Sequence, residues 1–133
     1  MDVSGSNNLN TLAVYSNQLS SINLTGLVNL IYLDCHENLL TSVNFSGLTN
    51  LTTALCEHNL FTSLDFSGAP NFNNLGCGYN PNLTSINIKN GNPNINFYSY
   101  WVDTPSLAFV CADNDELSYV QQILTQSLHT NVV

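Results

Sequence analysis

Apolar residues return along this chain in an order that repeats about every 21 residues. Equal steps from Leu9 reach Leu30, Leu51 and Phe72, and each of these residues opens a similar phrase. The second copy reads LIYLDCHENLLTSVNFSGLTN and the third reads LTTALCEHNLFTSLDFSGAPN, while the fourth, FNNLGCGYNPNLTSINIKNG, carries one extra residue near Asn82. A constant period of this length is typical of a solenoid in which every repeat forms one turn.

Each repeat contains two short stretches in which apolar and polar residues alternate. Leu33 and Cys35 flank Asp34 in the first stretch, and the residues on either side of Asn44 repeat the pattern in the second. Because alternate side chains of a strand point to opposite faces, the apolar residues of both stretches are predicted to face inward. Stacked turns then predict two parallel sheets with one column of core residues between them: Leu19, Leu40, Phe61 and Leu83.

Glycine and asparagine also recur at fixed places in the repeat. Gly26, Gly47 and Gly68 fall at one corner, where a residue without Cβ takes positive φ or permits a close approach of two backbones. A second column predicts a ladder of amides that hydrogen-bond the turn backbone and each other: Asn17, Asn38, Asn59 and Asn80.

The repeat phrase resembles the leucine-rich repeat family, in particular the 21-residue bacterial class whose units read LxxLxCxxNxLxxLDL. The resemblance covers nearly the whole chain and implies a right-handed β-solenoid with short parallel strands on two faces. The pieces INIKNG and FVCADNDE, followed by a helix-like segment, further resemble secreted proteins of Flavobacterium-type Bacteroidetes. That resemblance implies a parent protein that is secreted or lies on the cell surface, although no basic and then apolar leader opens this chain.

The repeats divide the chain into parts of one predicted domain, residues 1–133. Residues 1–8 form a partial repeat, 9–91 four full repeats, 92–114 a diverged repeat and 115–129 a capping helix. Cys111 and Asn114 restore the CxxN spacing, which predicts about five turns, and Asp113 with Glu116 resembles a capping box. The apolar residues of the helix follow at helical spacing and are predicted to close the core: Leu117, Val120, Ile123, Leu124 and Leu128.

The beginning of the chain predicts an open end. Residues 2–5, Asp-Val-Ser-Gly, are in register with residues 65–68, Asp-Phe-Ser-Gly, so the chain starts inside a repeat. A solenoid usually closes with an atypical capping unit, and an uncapped turn exposes strand edges that pair with other chains. We therefore expect weak self-association through the N-terminal end.

Composition excludes two classes of partner. Of the 133 residues, 44% are hydrophobic and only 8% are charged, with a formal net charge of -8 and a single lysine, Lys89. Such a chain does not neutralise phosphates, so neither nucleic acid nor an anionic membrane is a predicted partner. The polar character comes from asparagine, which occurs 22 times, and from serine and threonine.

The cysteines are predicted to be reduced and buried. Cys35, Cys56 and Cys77 occupy the same inward position on successive turns, where neighbouring strands lie about 4.8 Å apart. A disulfide needs closer, converging Cβ atoms, and a column of inward thiols does not converge on a metal ion. We interpret them as small apolar fillers and expect no metal site.

Two histidines and two glutamates fall in neighbouring outward columns. His36 shares one column with Glu57, and Glu37 shares the next with His58. Such a cluster suits a divalent ion or an acid and base pair, but we interpret these residues as exposed, variable positions at the strand ends. We predict no catalytic residue and no cofactor, because no serine has a histidine in a singular setting.

The outward columns differ between the two sheets. On the second sheet they repeat nearly the same serine, asparagine and threonine at every level, whereas on the first sheet they vary and include tyrosine and histidine. This variation predicts a non-enzymatic protein- or glycan-binding surface formed by Tyr15, Tyr32, Asp34, His36, Leu55 and Glu57. Two alternatives stay open: a stiff structural spacer, and an ice- or ordered-water-binding surface on the regular hydroxyls of the second sheet.

Overall fold

The computed structural model describes residues 1–97 and 103–127, and they form a parallel β-solenoid of about five turns with one C-terminal helix. The elements in chain order are β1 (Thr11–Ala13), β2 (Tyr32–Asp34), β3 (Thr53–Leu55), β4 (Ser63–Asp65), β5 (Asn74–Gly76), β6 (Ser85–Asn87), β7 (Asn96–Phe97), β8 (Phe109–Cys111) and α1 (Leu117–Ser127). The predicted solenoid with short strands on two faces and a C-terminal helix is confirmed.

The first sheet contains five parallel strands in the order β1, β2, β3, β5 and β7. The central residue of each strand pairs with that of the next turn, which places one inward column along the sheet: Leu12, Leu33, Ala54, Leu75 and Phe97. All five side chains are buried. The register therefore follows the period of the repeat, as the alternation of apolar residues predicts.

The second sheet is shorter, with three parallel strands in the order β4, β6 and β8. Its inward column, Leu64, Ile86 and Val110, begins only in the third turn. In the first turn the same face carries a single bridge between Asp2 and Asn23. Two predicted strands per turn are thus formed only in the C-terminal part of the solenoid.

Cys111 does not continue the inward cysteine column, so that alignment is wrong. It ends β8 in the second sheet, where it lies opposite Asn87 and is exposed. The first-sheet strand of the fifth turn is β7, whose Phe97 lies opposite Leu75. Because the fifth turn is longer than the others, the cysteine falls on the second strand of the turn and not just after the first.

The core is filled by leucine and phenylalanine from every turn. Leu40, Phe61 and Leu83 of the predicted core column are fully buried, while Leu19 of the first turn is partly buried. Phenylalanines add a second column, with ring centroids 4.3 Å apart for Phe45 and Phe66 and 3.8 Å apart for Phe66 and Phe72. Aromatic pairs of this kind add about 0.5 to 1.5 kcal/mol beyond the area that they bury.

The asparagine ladder connects each turn to the one before it. Asn59 donates from Nδ2 to the backbone oxygens of Cys35, Cys56 and Glu57 at 2.9, 3.3 and 3.1 Å, and its Oδ1 accepts the N–H of Leu40 at 3.0 Å. Asn38 and Asn80 repeat this arrangement. Among the described residues these amides bond backbone groups and not each other, which corrects one detail of the predicted ladder.

The corner glycines are needed for two different reasons. Gly26 and Gly47 have φ of +83° and +80°, a conformation that residues with a side chain rarely adopt. Gly68 is not in this region, but a Cβ there would lie 3.0 Å from the Cα of Ser46 in the preceding turn. The same repeat position thus uses glycine for backbone conformation in two turns and for close approach in the third.

The helix α1 is tied to the last turn by a capping box. The Glu116 carboxylate accepts the backbone N–H of Asp113 at 3.0 Å, as predicted. The Asp113 carboxylate instead accepts the N–H groups of Asn90 and Gly91, at 3.1 and 2.7 Å, so it caps the neighbouring turn and not its own helix. Burial raises the pKa of the Glu116 carboxyl, although hydrogen bonds from the Asp113 and Ile95 backbones oppose that shift.

One face of α1 closes the core. Val120 and Ile123 are buried, and Leu124 packs at the edge of the same cluster. Leu117 is 50% exposed, so its predicted core position is wrong. The buried stripe of the helix runs from Glu116 to Val120, and Leu117, one residue after Glu116, is rotated about 100° away from that stripe. Leu128 lies outside the described residues. No helix in the described ranges has the length and apolar character to cross a membrane.

Candidate binding surface on the first sheet

The central feature of the first sheet's outer face is a carboxylate held against an imidazole. Asp34 Oδ1 lies 2.5 Å from His36 Nδ1 and accepts the backbone N–H of His36 at 3.3 Å, while Tyr32 Oη lies 3.5 Å from Asp34 Oδ2. Asp34 is an outward residue of β2, yet it is only 7% exposed. A carboxylate at Nδ1 favours the proton on that nitrogen, which leaves Nε2 as the ring nitrogen for an outside partner.

Two histidine–tyrosine stacks lie just beyond the ends of the first-sheet strands. The rings of Tyr15 and His36 have centroids 4.9 Å apart and planes within 8°, and those of His58 and Tyr79 lie 4.1 Å apart within 7°. Each stack joins equivalent positions of successive turns, because in-register strands place such residues about 4.8 Å apart. Tyr15 and Tyr79 remain 50% and 40% exposed, so each stack offers a fixed aromatic surface to solvent.

The backbone of the turn after each first-sheet strand sets the direction of one side chain per turn. Ser16, Glu37, His58 and Tyr79 occupy equivalent places and all have positive φ, between 52° and 56°. This left-handed conformation costs residues with a side chain on the order of 1 kcal/mol or more. It recurs in four successive turns, where the asparagine that follows donates to the backbone oxygens just before this residue, as Asn59 does to Cys56 and Glu57. The His58–Tyr79 stack is therefore a product of the turn geometry.

The two glutamates of the region turn to different partners. Glu37 Oε2 accepts the hydroxyl of Ser16 in the preceding turn at 2.7 Å. The carboxylate of Glu57 lies over Gly76 of the following turn, in the space that a Cβ on Gly76 would occupy. Gly76 thereby makes room for an acidic group that leans along the sheet.

The structure brings together most of the residues that the sequence singled out. Tyr15, Tyr32, Asp34 and His36 form one connected group, and Leu55 pairs in register with Asp34 on β3. Glu57 leans away toward Gly76, and the predicted cluster of two histidines and two glutamates is divided among separate partners. Sequence reasoning missed Tyr79, which follows His58 in the same repeat column and was detectable from that spacing.

The chemistry of this surface is that of binding groups. Within the described ranges, no three histidine, cysteine, aspartate or glutamate side chains are placed to hold a metal ion together. The imidazole of His36 contacts Asp34 through Nδ1 and stacks on Tyr15, and the imidazole of His58 stacks on Tyr79. The surface therefore presents aromatic rings and an oriented imidazole to solvent.

The buried cysteines lie below this surface and are free thiols. Cys35, Cys56 and Cys77 are fully buried, and the Sγ atoms of the first two lie 3.9 Å apart. The hydrogen bond that Cys56 shares with Cys35 and then burial raise the pKa of the Cys56 thiol, and burial raises the pKa of the Cys77 thiol. Protonated thiols are poor nucleophiles. The predicted burial of these three cysteines is confirmed, whereas Cys111 is exposed.

The fold defines the class of this protein as a repeat solenoid of parallel strands. No family model matches the chain, and no curated protein matches it. Among solved structures it is similar to the functional domain of InlJ from Listeria monocytogenes, which includes a cysteine ladder, with 17% identity and a TM-score of 0.31. The match covers 87% of this chain and 46% of that chain.

At this identity and TM-score the likeness carries no argument about ligand or activity, and the chain spans less than half of that structure's length. The 21-residue class and the resemblance to Bacteroidetes proteins stay predictions.

Proposed function

We propose that this chain is a non-catalytic binding module whose first-sheet outer face contacts a protein or a glycan, in a parent protein that is secreted or lies on the cell surface. The observation that carries the proposal is the pair of histidine–tyrosine stacks, Tyr15–His36 and His58–Tyr79, on a solenoid made mostly of small neutral side chains. The location outside the cell rests on the resemblance of the repeat phrase.

Stacked rings suit recognition because they are large, amphipathic and already ordered. A tyrosine or histidine ring covers apolar surface with its face and forms hydrogen bonds at its edge. Stacking restricts both rings before a partner arrives, so less conformational freedom is lost on binding. Asp34 adds the same kind of order to His36, whose imidazole it holds through Nδ1.

The second sheet offers weaker support for the alternative of an ice- or ordered-water-binding surface. Such a surface needs hydroxyls at regular intervals over several turns. Ser63 and Ser85 are aligned on β4 and β6, but the next position is Phe109, which is 73% exposed. An exposed phenylalanine ends the row of hydroxyls after two strands, and we therefore place the binding function on the first sheet.

A paired comparison of variants tests the proposal. The chain is screened against an array of glycans and a library of extracellular bacterial proteins, and any binder is titrated against Tyr15→Ala and Tyr79→Ala. Loss of an aromatic anchor is expected to weaken binding about tenfold or more. The matched control is Ser63→Ala on the second sheet, which should bind as the unmodified chain does.

Two outcomes contradict this function. The first is a screen without any binder, which favours the stiff spacer. The second is a binder whose affinity is equal in all three variants, which places recognition elsewhere on the molecule.

A further inference from the structure

A second concave region lies where the fifth turn meets α1, separate from the stacked rings. We name it the cap cleft, and its lining includes Asn73, Asn74, Asn94, Asn96, Asp115 and Tyr119. Its volume is about 360 Å³, in the range of roughly 300 to 1,000 Å³ that is typical of small-molecule sites. Unlike most such sites, its polar lining consists mainly of neutral amides.

The cap cleft continues into an open groove along one corner of the solenoid. The groove has a volume of about 490 Å³, shares Asn73 and Asn94 with the cleft and extends past Asn71 and Asn50. Equivalent residues of successive turns lie about 4.8 Å apart. The groove therefore presents one amide per turn to a ligand that runs along the solenoid axis.

The amides of this groove are held in place by the backbone. Asn50 donates from Nδ2 to the oxygen of Val28 at 3.0 Å, and Asn71 does so to the oxygen of Thr49 at 2.8 Å. A side-chain amide has two N–H groups and one oxygen. Counting the bonds to described residues, each of these two amides uses one N–H, so its second N–H and its oxygen remain for a ligand. Fixed side chains of this kind bind with a smaller loss of conformational freedom.

The floor of the cap cleft is also ordered. The Asn74 amide donates to Asn73 Oδ1, and Asn94 bonds Asn92 Oδ1 through both its backbone and its side-chain nitrogen at 3.3 Å. Tyr119 is partly buried, and its ring centroid lies 5.9 Å from that of Phe97. The ring therefore packs against the core and also lines the cleft.

These groups together select a neutral, hydroxyl-rich ligand. Amides give and accept hydrogen bonds in pairs, as neighbouring sugar hydroxyls require, and an aromatic ring covers the apolar face of a sugar. Asp115 and the overall charge of -8 repel anions. From the cleft, its continuation into the groove and the ordered amides, we propose that this site binds a neutral oligosaccharide, with one end in the cap cleft and the rest along the groove.

This site goes beyond the proposed function: Asn74 and Asn96 belong to first-sheet strands, but the lining of the cleft contains no residue of the two histidine–tyrosine stacks. Tyr15→Ala and Tyr79→Ala are expected to leave oligosaccharide binding in the cleft unchanged. Failure of the first-sheet surface and failure of the cap cleft are therefore distinguishable in the same set of variants.

The test uses neutral oligosaccharides of two lengths. The intact chain is titrated by calorimetry with hexasaccharides and disaccharides of β-1,4-glucose, β-1,4-N-acetylglucosamine and α-mannose, together with sulfated forms. Asn96→Tyr places a ring in the cleft from an exposed strand position and is expected to weaken binding of both lengths about tenfold or more. Ser63→Tyr, the same side chain at an exposed position of the second sheet, is the control, and thermal melts confirm that both variants fold.

Asn71→Ala separates the groove from the cleft. It is expected to weaken the hexasaccharide several-fold and to leave the disaccharide unchanged, since only the longer chain reaches Asn71. The proposal is overturned if no neutral sugar of the panel binds, if sulfated forms bind better, or if Asn96→Tyr binds as the unmodified chain does. Equal effects of Asn71→Ala on both lengths would overturn the assignment of the groove.

Discussion

The outer faces of the two sheets differ in the groups that their outward side chains contact. On the second face, Asp2, Asn23, Asn44, Asp65 and Asn87 each accept, through the side chain, the backbone N–H two residues later. The backbone needs this bond in every turn, so the residue type repeats. On the first face, Asp34 makes one such bond, to the N–H of His36, but outward side chains also contact one another, as in the Asp34–His36 pair and the two ring stacks. Residues that serve the backbone are thus uniform, and residues that it does not use are available for recognition.

The largest expected effect comes from the ladder between the two faces. Asn59→Ala removes four hydrogen bonds at a position that is 3% exposed. It should lower the free energy of unfolding by about 1 to 3 kcal/mol for each buried group that stays unpaired. Asn44→Ala removes one bond at an exposed position of the second face and is expected to cost about 1 kcal/mol or less. Urea denaturation of both variants measures the difference, and equal midpoints would refute the structural role of the ladder.

The two outer aspartates give the next largest contrast. Asp34→Asn weakens a buried, charge-assisted contact with His36 and should cost about 1 kcal/mol. Asp65→Asn changes an exposed residue to the one that the preceding turn already has at Asn44, so the free energy of unfolding should stay within about 0.5 kcal/mol. If chemical denaturation shows a larger loss of stability for Asp65→Asn than for Asp34→Asn, the described difference between the two faces is wrong.

Two glycine-to-alanine substitutions compare a site where the added Cβ meets backbone with a site where it meets a side chain. At Gly68 an added Cβ meets the Cα of Ser46 at 3.0 Å, and backbone does not move aside easily, so Gly68→Ala should cost about 1 kcal/mol. At Gly76 the nearest atoms to an added Cβ all belong to the carboxylate of Glu57, the far end of a flexible side chain. Gly76→Ala should therefore change stability little. The thermal unfolding midpoints of the two variants test this expectation. A larger decrease for Gly76→Ala than for Gly68→Ala would show that the position of the Glu57 side chain contributes to stability.

The smallest expected effect concerns self-association. The first sheet begins with β1, which in the described ranges has a strand partner on one side only, whereas the second sheet begins in the third turn. We propose that β1 pairs weakly between molecules when salt screens the net charge of -8, since screening shortens electrostatic repulsion to about 10 Å at 0.1 M salt. Sedimentation across a salt series measures this, with Leu12→Lys as a variant that should remain monomeric. A chain that stays monomeric at high salt and high concentration would contradict the proposal.

The periodic part of this fold was predictable from sequence because one local rule recurs in every turn. Inward leucines, corner glycines and the column that contains Asn59 each meet a need that recurs from turn to turn, so their spacing predicted the solenoid and its two faces. The Asp34–His36 pair was not foreseen as a contact, although both residues were identified, because two outward residues on one strand meet only when side-chain conformers allow it.

The end of the solenoid was predicted less well. The longer fifth turn moved Cys111 to the second sheet, and the CxxN spacing suggested a register that strand pairing does not follow. Leu117 has the right spacing for the core, but Glu116 takes that face because its carboxylate caps Asp113. The cap cleft was not predictable, since it depends on how α1 sits against the last turn.

The hydrogen bonds that the asparagine ladder makes between turns run in one direction along the solenoid. The amide of each turn bonds the backbone of the turn before it, as Asn38 does with Val14 and Asn80 does with Cys56. A turn is therefore completed by its successor, and losing the later turn leaves polar groups of the earlier one without partners. Fraying that starts at the helix should travel backwards along the chain one turn at a time, and hydrogen exchange should report protection that rises in the same order.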